Sequence, residues 1–174
     1  MSANYLEQLA AEWYEYSGYF VRRNVPVGPR PGGGFDSELT ILAVHLDQRK
    51  VVQVEPSMDA HSWEKREARF RARFDAGSRF IPDLLGDFEP DAPIRQIALI
   101  GLGSRLNHPM IGGGEVLTLP DFLAEIIASV GKIADASGAV PQQYPILRTL
   151  QFVAENRRAV MAALLDQDPR QMGF

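Results

Sequence analysis

Two neighbouring stretches, residues 34–45 and 50–57, alternate apolar and polar side chains and constrain the fold more than any other feature. Alternation predicts β-strands, and the short polar turn between the stretches predicts that the strands are neighbours in a sheet. Because residues two apart on a strand share a face, the polar residues of each stretch are expected on one side. These residues are Asp36, Glu38 and Thr40 on the first strand and Gln53 and Glu55 on the second.

The chemistry of these polar residues predicts a cation site at one end of the sheet. If the two strands pair, three carboxylates, an amide and a hydroxyl meet there, and oxygen atoms of these kinds are the ligands of hard divalent cations. The expected metal ligands are the carboxylates of Asp36, Glu38 and Glu55.

Length and composition favour one globular domain. The 174 residues are enough for a sizeable core, so we expect a single domain over 1–174. A net charge of −4 argues against a protein that coats nucleic acid through bulk charge, but it permits a local basic surface. The chain has no cysteine, no signal-peptide pattern and no apolar run of the roughly 20 residues that a membrane span needs. We therefore expect a cytoplasmic protein that does not enter a membrane.

Helical and β-rich stretches alternate along the chain. The expected elements are a helix from Ser2 or Asn4 to about Ser17, a strand over 19–27, the two strands above, a helix from Asp59 or Ser62 to about Asp75 that Gly77 ends, a loop over 83–93, a strand over 94–101, a short strand over 116–119, a helix over 121–133 and a last helix over 145–165. This order predicts an α/β fold, or α+β, with a central mixed β-sheet flanked by helices.

The helix that follows the second opening strand is the most basic segment of the chain. Its cations fall largely on one side at helical spacing, and they are Lys65, Arg66, Arg69 and Arg73. They could form a solvated face, with Glu64 and Glu67 as neighbouring ion-pair partners on the helix. Alternatively, they form a surface that contacts the phosphates of DNA or RNA.

Four short motifs follow one another in the first third of the chain. They are 6–10 (Leu-Glu-Gln-Leu-Ala), Gly18-Tyr19, 37–43 (Ser-Glu-Leu-Thr-Ile-Leu-Ala) and 52–55 (Val-Gln-Val-Glu). In order and spacing they resemble the minimal core of the PD-(D/E)XK nuclease superfamily, in its small YraN and Holliday-junction-resolvase type. The resemblance implies a restriction-endonuclease-like fold, with a nuclease-like core over 1–80 and a further strand and C-terminal helices over 81–174.

The resemblance also implies a site that uses Mg²⁺ or Mn²⁺ to activate water for phosphodiester hydrolysis. Thr40 stands where the family has a metal-binding Asp, Gln53 where it has Glu, and Glu55 where it has Lys. Lys65 in the next helix is the candidate for a displaced catalytic lysine, and Glu7 and Thr40 would support the site. The implied catalytic residues are Glu38, Gln53, Glu55 and Lys65.

We therefore expect a protein that binds DNA or RNA and whose metal-dependent phosphodiesterase site is atypical or degenerate. Whether it is an enzyme stays open at this point. The alternative is a non-catalytic interaction protein that retains only the fold, with a homodimer face on the last helix. A third hypothesis is a small-molecule enzyme that uses the loop over 101–114 and His108.

Overall fold

The computed structural model describes residues 5–103, 108–131 and 138–165, and within them it contains five helices and six strands. In chain order the elements are α1 (Tyr5–Tyr16), β1 (Phe20–Pro29), β2 (Phe35–His45), β3 (Lys50–Ser57), α2 (Trp63–Leu85), β4 (Arg95–Ile100), β5 (Met110–Ile111), β6 (Gly114–Thr118), α3 (Leu119–Val130), α4 (Pro145–Glu155) and α5 (Arg157–Leu165). The predicted caps of the first helix, Ser2 and Asn4, lie outside the described residues.

The six strands form one sheet in the order β1-β2-β3-β4-β6-β5. β1, β2 and β3 form an antiparallel meander, whereas β4 lies parallel to β3 and β6 lies parallel to β4. β5, a two-residue strand that the sequence pattern did not indicate, pairs antiparallel with β6. Helix α2 provides the crossover that the parallel β3–β4 pair requires. The prediction of a mixed sheet in an α/β fold is confirmed.

β2 and β3 separate at a point that we call the fork. Their ladder ends at the pair Ile41–Val54. Beyond this pair, the N-terminal part of β2 stays with β1, and the end of β3 stays with β4 as far as Ser57. Thr40 and Glu55 are the first residues past the last shared pair, so they stand at the opening of the fork.

Helix α2 covers the face of the sheet that carries Gln53, and it is longer than predicted. The prediction that Gly77 ends this helix was wrong, because α2 continues through Gly77 and Pro82 to Leu85. A β-carbon built on Gly77 would lie 1.8 Å from the Oε1 atom of Gln53. The glycine is therefore required for the close approach of helix and sheet, and it does not act as a stop.

The sheet is covered on both faces. On one face, Phe70 and Phe74 of α2 pack in an apolar cluster with Ala98, Ile100, Ile111 and Val116 of the sheet. On the opposite face of β3, Val52 and Val54 are buried, and α1 contacts this strand. None of the described helices has the length and apolarity that a membrane crossing needs.

The chain divides into two compact units, Met1–Phe122 and Leu123–Phe174, and the expectation of a single domain stays a prediction. The second unit contains most of α3 and all of α4 and α5. The prediction of one last helix over 145–165 was wrong, because the chain leaves helical geometry at Asn156 and forms α4 and α5. Within this unit, the buried Gln151 side chain accepts a hydrogen bond of 2.9 Å from the Val140 N–H.

Candidate functional site

The carboxylate of Glu55 closes the fork. Its Oε1 atom accepts the backbone N–H of Thr40 at 3.2 Å, and its Oε2 atom accepts the Thr40 hydroxyl at 2.5 Å. If the β2–β3 ladder continued by one more residue pair, the Thr40 N–H would donate to the backbone of β3. The side chain of Glu55 therefore replaces a rung of the sheet at the point where the two strands separate.

Two amide side chains connect the fork to α2 and β4. The Nε2 atom of Gln53 donates to Glu55 Oε1 at 2.9 Å and to the Arg73 carbonyl at 3.0 Å. Its Oε1 atom accepts from Gln96 Nε2 at 2.9 Å, and Gln96 also donates to the Phe74 carbonyl at 2.7 Å. Thr40, Gln53, Glu55 and Gln96, which we call the fork network, thus link three strands and one helix.

Glu55 is a buried acid, with 4% of its surface exposed. Burial raises the pKa of its carboxyl above the ordinary value, and this effect outweighs the opposing hydrogen bonds from Thr40 and Gln53 and the positive charge of Arg73. Arg73 is half-buried, and its Nη1 atom is buried without a hydrogen-bond partner in the described part of the chain. The charged group that acts on the pKa of Glu55 is therefore the guanidinium of Arg73 on α2.

Among the described residues, the hydrogen-bond partners of the Glu55 carboxylate are Thr40 and Gln53, and neither Asp36 nor Glu38 is bonded to it. Both are exposed on the part of β2 that has left β3, and Asp36 forms an ion pair of 2.7 Å with Arg30. Same-face residues on a strand are separated by about 7 Å, so Glu38 stands one such step beyond Thr40. Among residues 5–103, 108–131 and 138–165, no three His, Cys, Asp or Glu side chains lie close enough to hold a metal ion.

The residues at the fork do not fit Mg²⁺ or Mn²⁺. A hard cation of this kind takes about six oxygen ligands, usually with more than one carboxylate or with substrate phosphates. The fork network offers one carboxylate, and both of its oxygens already accept hydrogen bonds from Thr40 or Gln53. Thr40 carries no charge with which to complete a cation site.

Glu7, which the sequence suggested as a supporting residue, lies elsewhere. Its carboxylate accepts hydrogen bonds of 3.1 and 3.0 Å from Nε and Nη2 of Arg23. Arg23 stands opposite Ile41 in the β1–β2 ladder, and Ile41 is on the other face of β2 from Thr40. Glu7 therefore belongs to the opposite side of the sheet from the fork network.

Arg66 acts inside the protein. Only 5% of its surface is exposed, and its Nε donates to Asp59 Oδ1 at 3.2 Å while its Nη1 donates to the Leu102 carbonyl at 2.7 Å. Its guanidinium also lies over the Trp63 ring at 5.5 Å. The role of Arg66 in nucleic-acid binding stays a prediction, since its donors serve the connection between β3 and α2.

Ser57 and Asp59 are polar partners of Arg69, whereas the sequence indicated Asp59 only as a possible start of the helix and did not indicate Ser57. The carboxylate of Asp59 accepts hydrogen bonds from the Ser57 hydroxyl and the Arg69 guanidinium, and Arg69 also donates to Ser57 Oγ at 2.8 Å. Partial burial tends to raise the pKa of Asp59, but the hydrogen bonds from Ser57 and Arg69 prevail and hold it well below its usual range. An acid directly after a strand, seven and ten residues before arginines of the next helix, is the signal that could have revealed them.

Three cations of α2 lie along one flank of the helix. Lys65, Arg69 and Arg73 are four residues apart, and a step of four residues turns by only about 40°. Arg73 belongs to this row and to the surroundings of Glu55. Arg71 lies about 160° around the helix and pairs with Glu67 at 2.5 Å, so it belongs to the other flank.

His108, the residue of the third hypothesis, stacks on Trp63 with ring centroids 4.2 Å apart. The loop that precedes it is only partly described, because residues 104–107 fall outside the described ranges. This stack involves none of the residues of the fork network.

Comparisons of the chain with protein-family models, with curated proteins and with solved structures found no match. We therefore infer a function from the residues of the site itself.

Proposed function

We propose that this protein has a restriction-endonuclease-like fold and binds DNA or RNA through α2, with a phosphodiesterase site that is degenerate. Three features support the proposal: the order α1-β1-β2-β3-α2-β4, the separation of β2 from β3, and the polar residues at that separation. These features coincide with the motifs that resemble the nuclease superfamily.

The row formed by Lys65, Arg69 and Arg73 is the observation that supports nucleic-acid binding most directly. Four residues of helix rise by about 6 Å, so the row extends over about 12 Å. Each strand of a duplex carries one phosphate charge per roughly 3.4 Å of its axis, so a row of this length can face several phosphates. Lys65 and Arg69 are exposed, although Asp59 offsets part of the charge of Arg69.

Hydrolysis receives no comparable support from the fork. Metal-assisted hydrolysis requires a cation that activates water and neutralises the developing charge. At the fork, Thr40 supplies a hydroxyl where a second carboxylate would be needed, and Glu55 is engaged by hydrogen bonds. Nucleic-acid binding without cleavage is the activity that these residues can perform.

Fluorescence anisotropy with labelled single-stranded and duplex oligonucleotides tests the proposal. We expect binding that weakens steeply with salt, and a Lys65→Ala/Arg69→Ala variant whose salt slope is smaller by about one for each lost phosphate contact. Arg71→Ala is the matched control, because Arg71 is an exposed arginine on the other flank of the same helix. Wild-type protein without salt-dependent binding, or equal losses in the variant and the control, would overturn the proposal.

A nicking assay tests the degenerate site. Wild-type protein and Glu55→Ala should leave supercoiled plasmid equally intact in Mg²⁺ or Mn²⁺. Metal-dependent nicking by the wild type that Glu55→Ala abolishes would show an active nuclease instead.

A second candidate is a non-catalytic interaction protein that forms a homo-oligomer. It is favoured by large apolar side chains that α4 and α5 leave exposed, namely Phe152, Met161, Leu164 and Leu165. Light scattering coupled to size-exclusion chromatography distinguishes the two candidates. A stable dimer that Met161→Glu dissociates, together with no oligonucleotide binding, would favour the second candidate.

A further inference from the structure

Hydrogen bonds at the fork occupy three of the roughly four lone-pair positions of the Glu55 carboxylate. Oε1 of Glu55 accepts from the Thr40 N–H and from Gln53 Nε2, and Oε2 accepts from the Thr40 hydroxyl. A cation on Oε2 of Glu55 would compete with the Thr40 hydroxyl, whose hydrogen points at the carboxylate. A cation that displaced the Thr40 N–H from Oε1 would leave this N–H without an acceptor at the place where the ladder ends.

The positive charge at the fork comes from α2. Arg73 acts on Glu55 through its charge, and its Nη1 atom has no hydrogen-bond partner within the described residues. Gln53 and Thr40, the other neighbours of the carboxylate, are neutral. Arg73 therefore favours the ionised form of Glu55 through its charge, and this effect is smaller than that of the hydrogen bonds from Thr40 and Gln53.

We propose that the residue at position 40 determines whether this fork is closed by hydrogen bonds or by a divalent cation. In this chain Thr40 and Glu55 form a hydrogen-bonded clasp that needs no metal, and the fork binds no divalent cation. An aspartate at position 40 would place a second carboxylate beside Glu55. The repulsion between the two carboxylates would then be relieved by a cation bound between them.

Mn²⁺ alone, without nucleic acid, is the probe that tests this proposal. Its binding is measured by electron paramagnetic resonance for wild type, Thr40→Asp and the neutral control Thr40→Asn. We expect no saturable binding to wild type or Thr40→Asn, and binding to Thr40→Asp that is tighter than to either by about tenfold or more. The melting temperature of Thr40→Asp should rise when Mn²⁺ is added and fall in EDTA.

Two results would overturn the proposal. One is saturable Mn²⁺ binding to wild type that Glu55→Gln abolishes, and the other is a folded Thr40→Asp that binds Mn²⁺ no more tightly than Thr40→Asn. If Thr40→Asp is unfolded in EDTA, recovery of its circular dichroism in Mn²⁺ supports the proposal, and failure to recover counts against it. These measurements are independent of the oligonucleotide assays, so either proposal can fail without the other.

Discussion

Gly77 of α2 lies so close to Gln53 of β3 that a β-carbon on the glycine would stand 1.8 Å from Gln53 Oε1. An alanine in a helix normally gains about 1 kcal/mol over glycine. Here the clash meets an amide that is fully buried and hydrogen-bonded to Gln96, and overpacking of this kind costs about 1–3 kcal/mol. We expect Gly77→Ala to lower the free energy of unfolding, as measured by urea denaturation.

Gly32→Ala is the control for this substitution. A β-carbon at Gly32 meets no atom within 4 Å, so the free energy of unfolding should stay within about 0.5 kcal/mol of wild type. If Gly77→Ala proved as stable as Gly32→Ala, helix and sheet could not be packed as closely as described.

The hydroxyl of Thr40 should matter for stability. Thr40→Val keeps the shape of the side chain but removes the donor to Glu55 Oε2, and a buried group deprived of its partner costs about 1–3 kcal/mol. Thr40→Ser retains the hydroxyl and should recover most of the loss. Equal unfolding midpoints in urea for Thr40→Val and Thr40→Ser would contradict this role of the hydroxyl.

The raised pKa of Glu55 predicts a pH dependence that can be isolated with Glu55→Gln. Because the folded protein holds this proton more tightly than the unfolded chain, wild-type stability should fall as pH rises from about 4.5, the ordinary value, through the raised folded pKa. Glu55→Gln removes the ionisation, so the variant should gain stability relative to wild type over that range. Urea denaturation at several pH values provides the check, and a difference that is constant with pH would contradict the prediction.

Asp59 should show the opposite behaviour. Its folded pKa is depressed, so its contribution is present above the ordinary value of 3.8 and is lost as pH falls through the folded pKa. Asp59→Asn also deprives the buried Arg66 of its carboxylate, and we expect a loss of about 2–3 kcal/mol at neutral pH. The difference from wild type should shrink in acid, and thermal unfolding at neutral and acidic pH can measure it.

Arg66 and Arg69 are neighbours on α2, but they should respond differently to alanine. Arg66→Ala removes a buried side chain that bonds Asp59 and the Leu102 carbonyl, so we expect a clear drop in melting temperature. Arg69 is 42% exposed, and Arg69→Ala should reduce oligonucleotide affinity with a smaller effect on melting. The reverse ranking in the melting experiment would mean that Arg66 does not hold the connection between β3 and α2.

The sequence was sufficient to predict the described strands other than β5, and Thr40, Gln53 and Glu55 do meet. Alternation predicts which residues share a face, but it does not predict where two strands stop pairing, because the end of a ladder depends on residues far along the chain. Asp36 and Glu38 precede Thr40 at two-residue steps, yet they lie on the part of β2 that stays with β1 alone.

Contacts between helix and sheet were the least predictable feature. A glycine in a helical pattern usually indicates a stop, but at position 77 the packing against Gln53 overrides this local preference. Glu7 has the position in the first helix that the nuclease motif predicts, but sequence spacing does not tell which face of the sheet a helix covers. Its carboxylate is bonded to Arg23.

The two parts of the sheet on either side of the fork differ in the chain entropy that is lost when their strands come together. β2 meets β3 across a tight turn, whereas the bond from Gln96 to Gln53 joins residues 43 apart in sequence. Loop closure costs more entropy as the connecting segment lengthens. The strands of the meander are close in sequence and pair at low cost, whereas the parallel strands β3 and β4 pair only after a long segment has been closed. Glu55 stands on the boundary between these halves, on the one strand that both of them share.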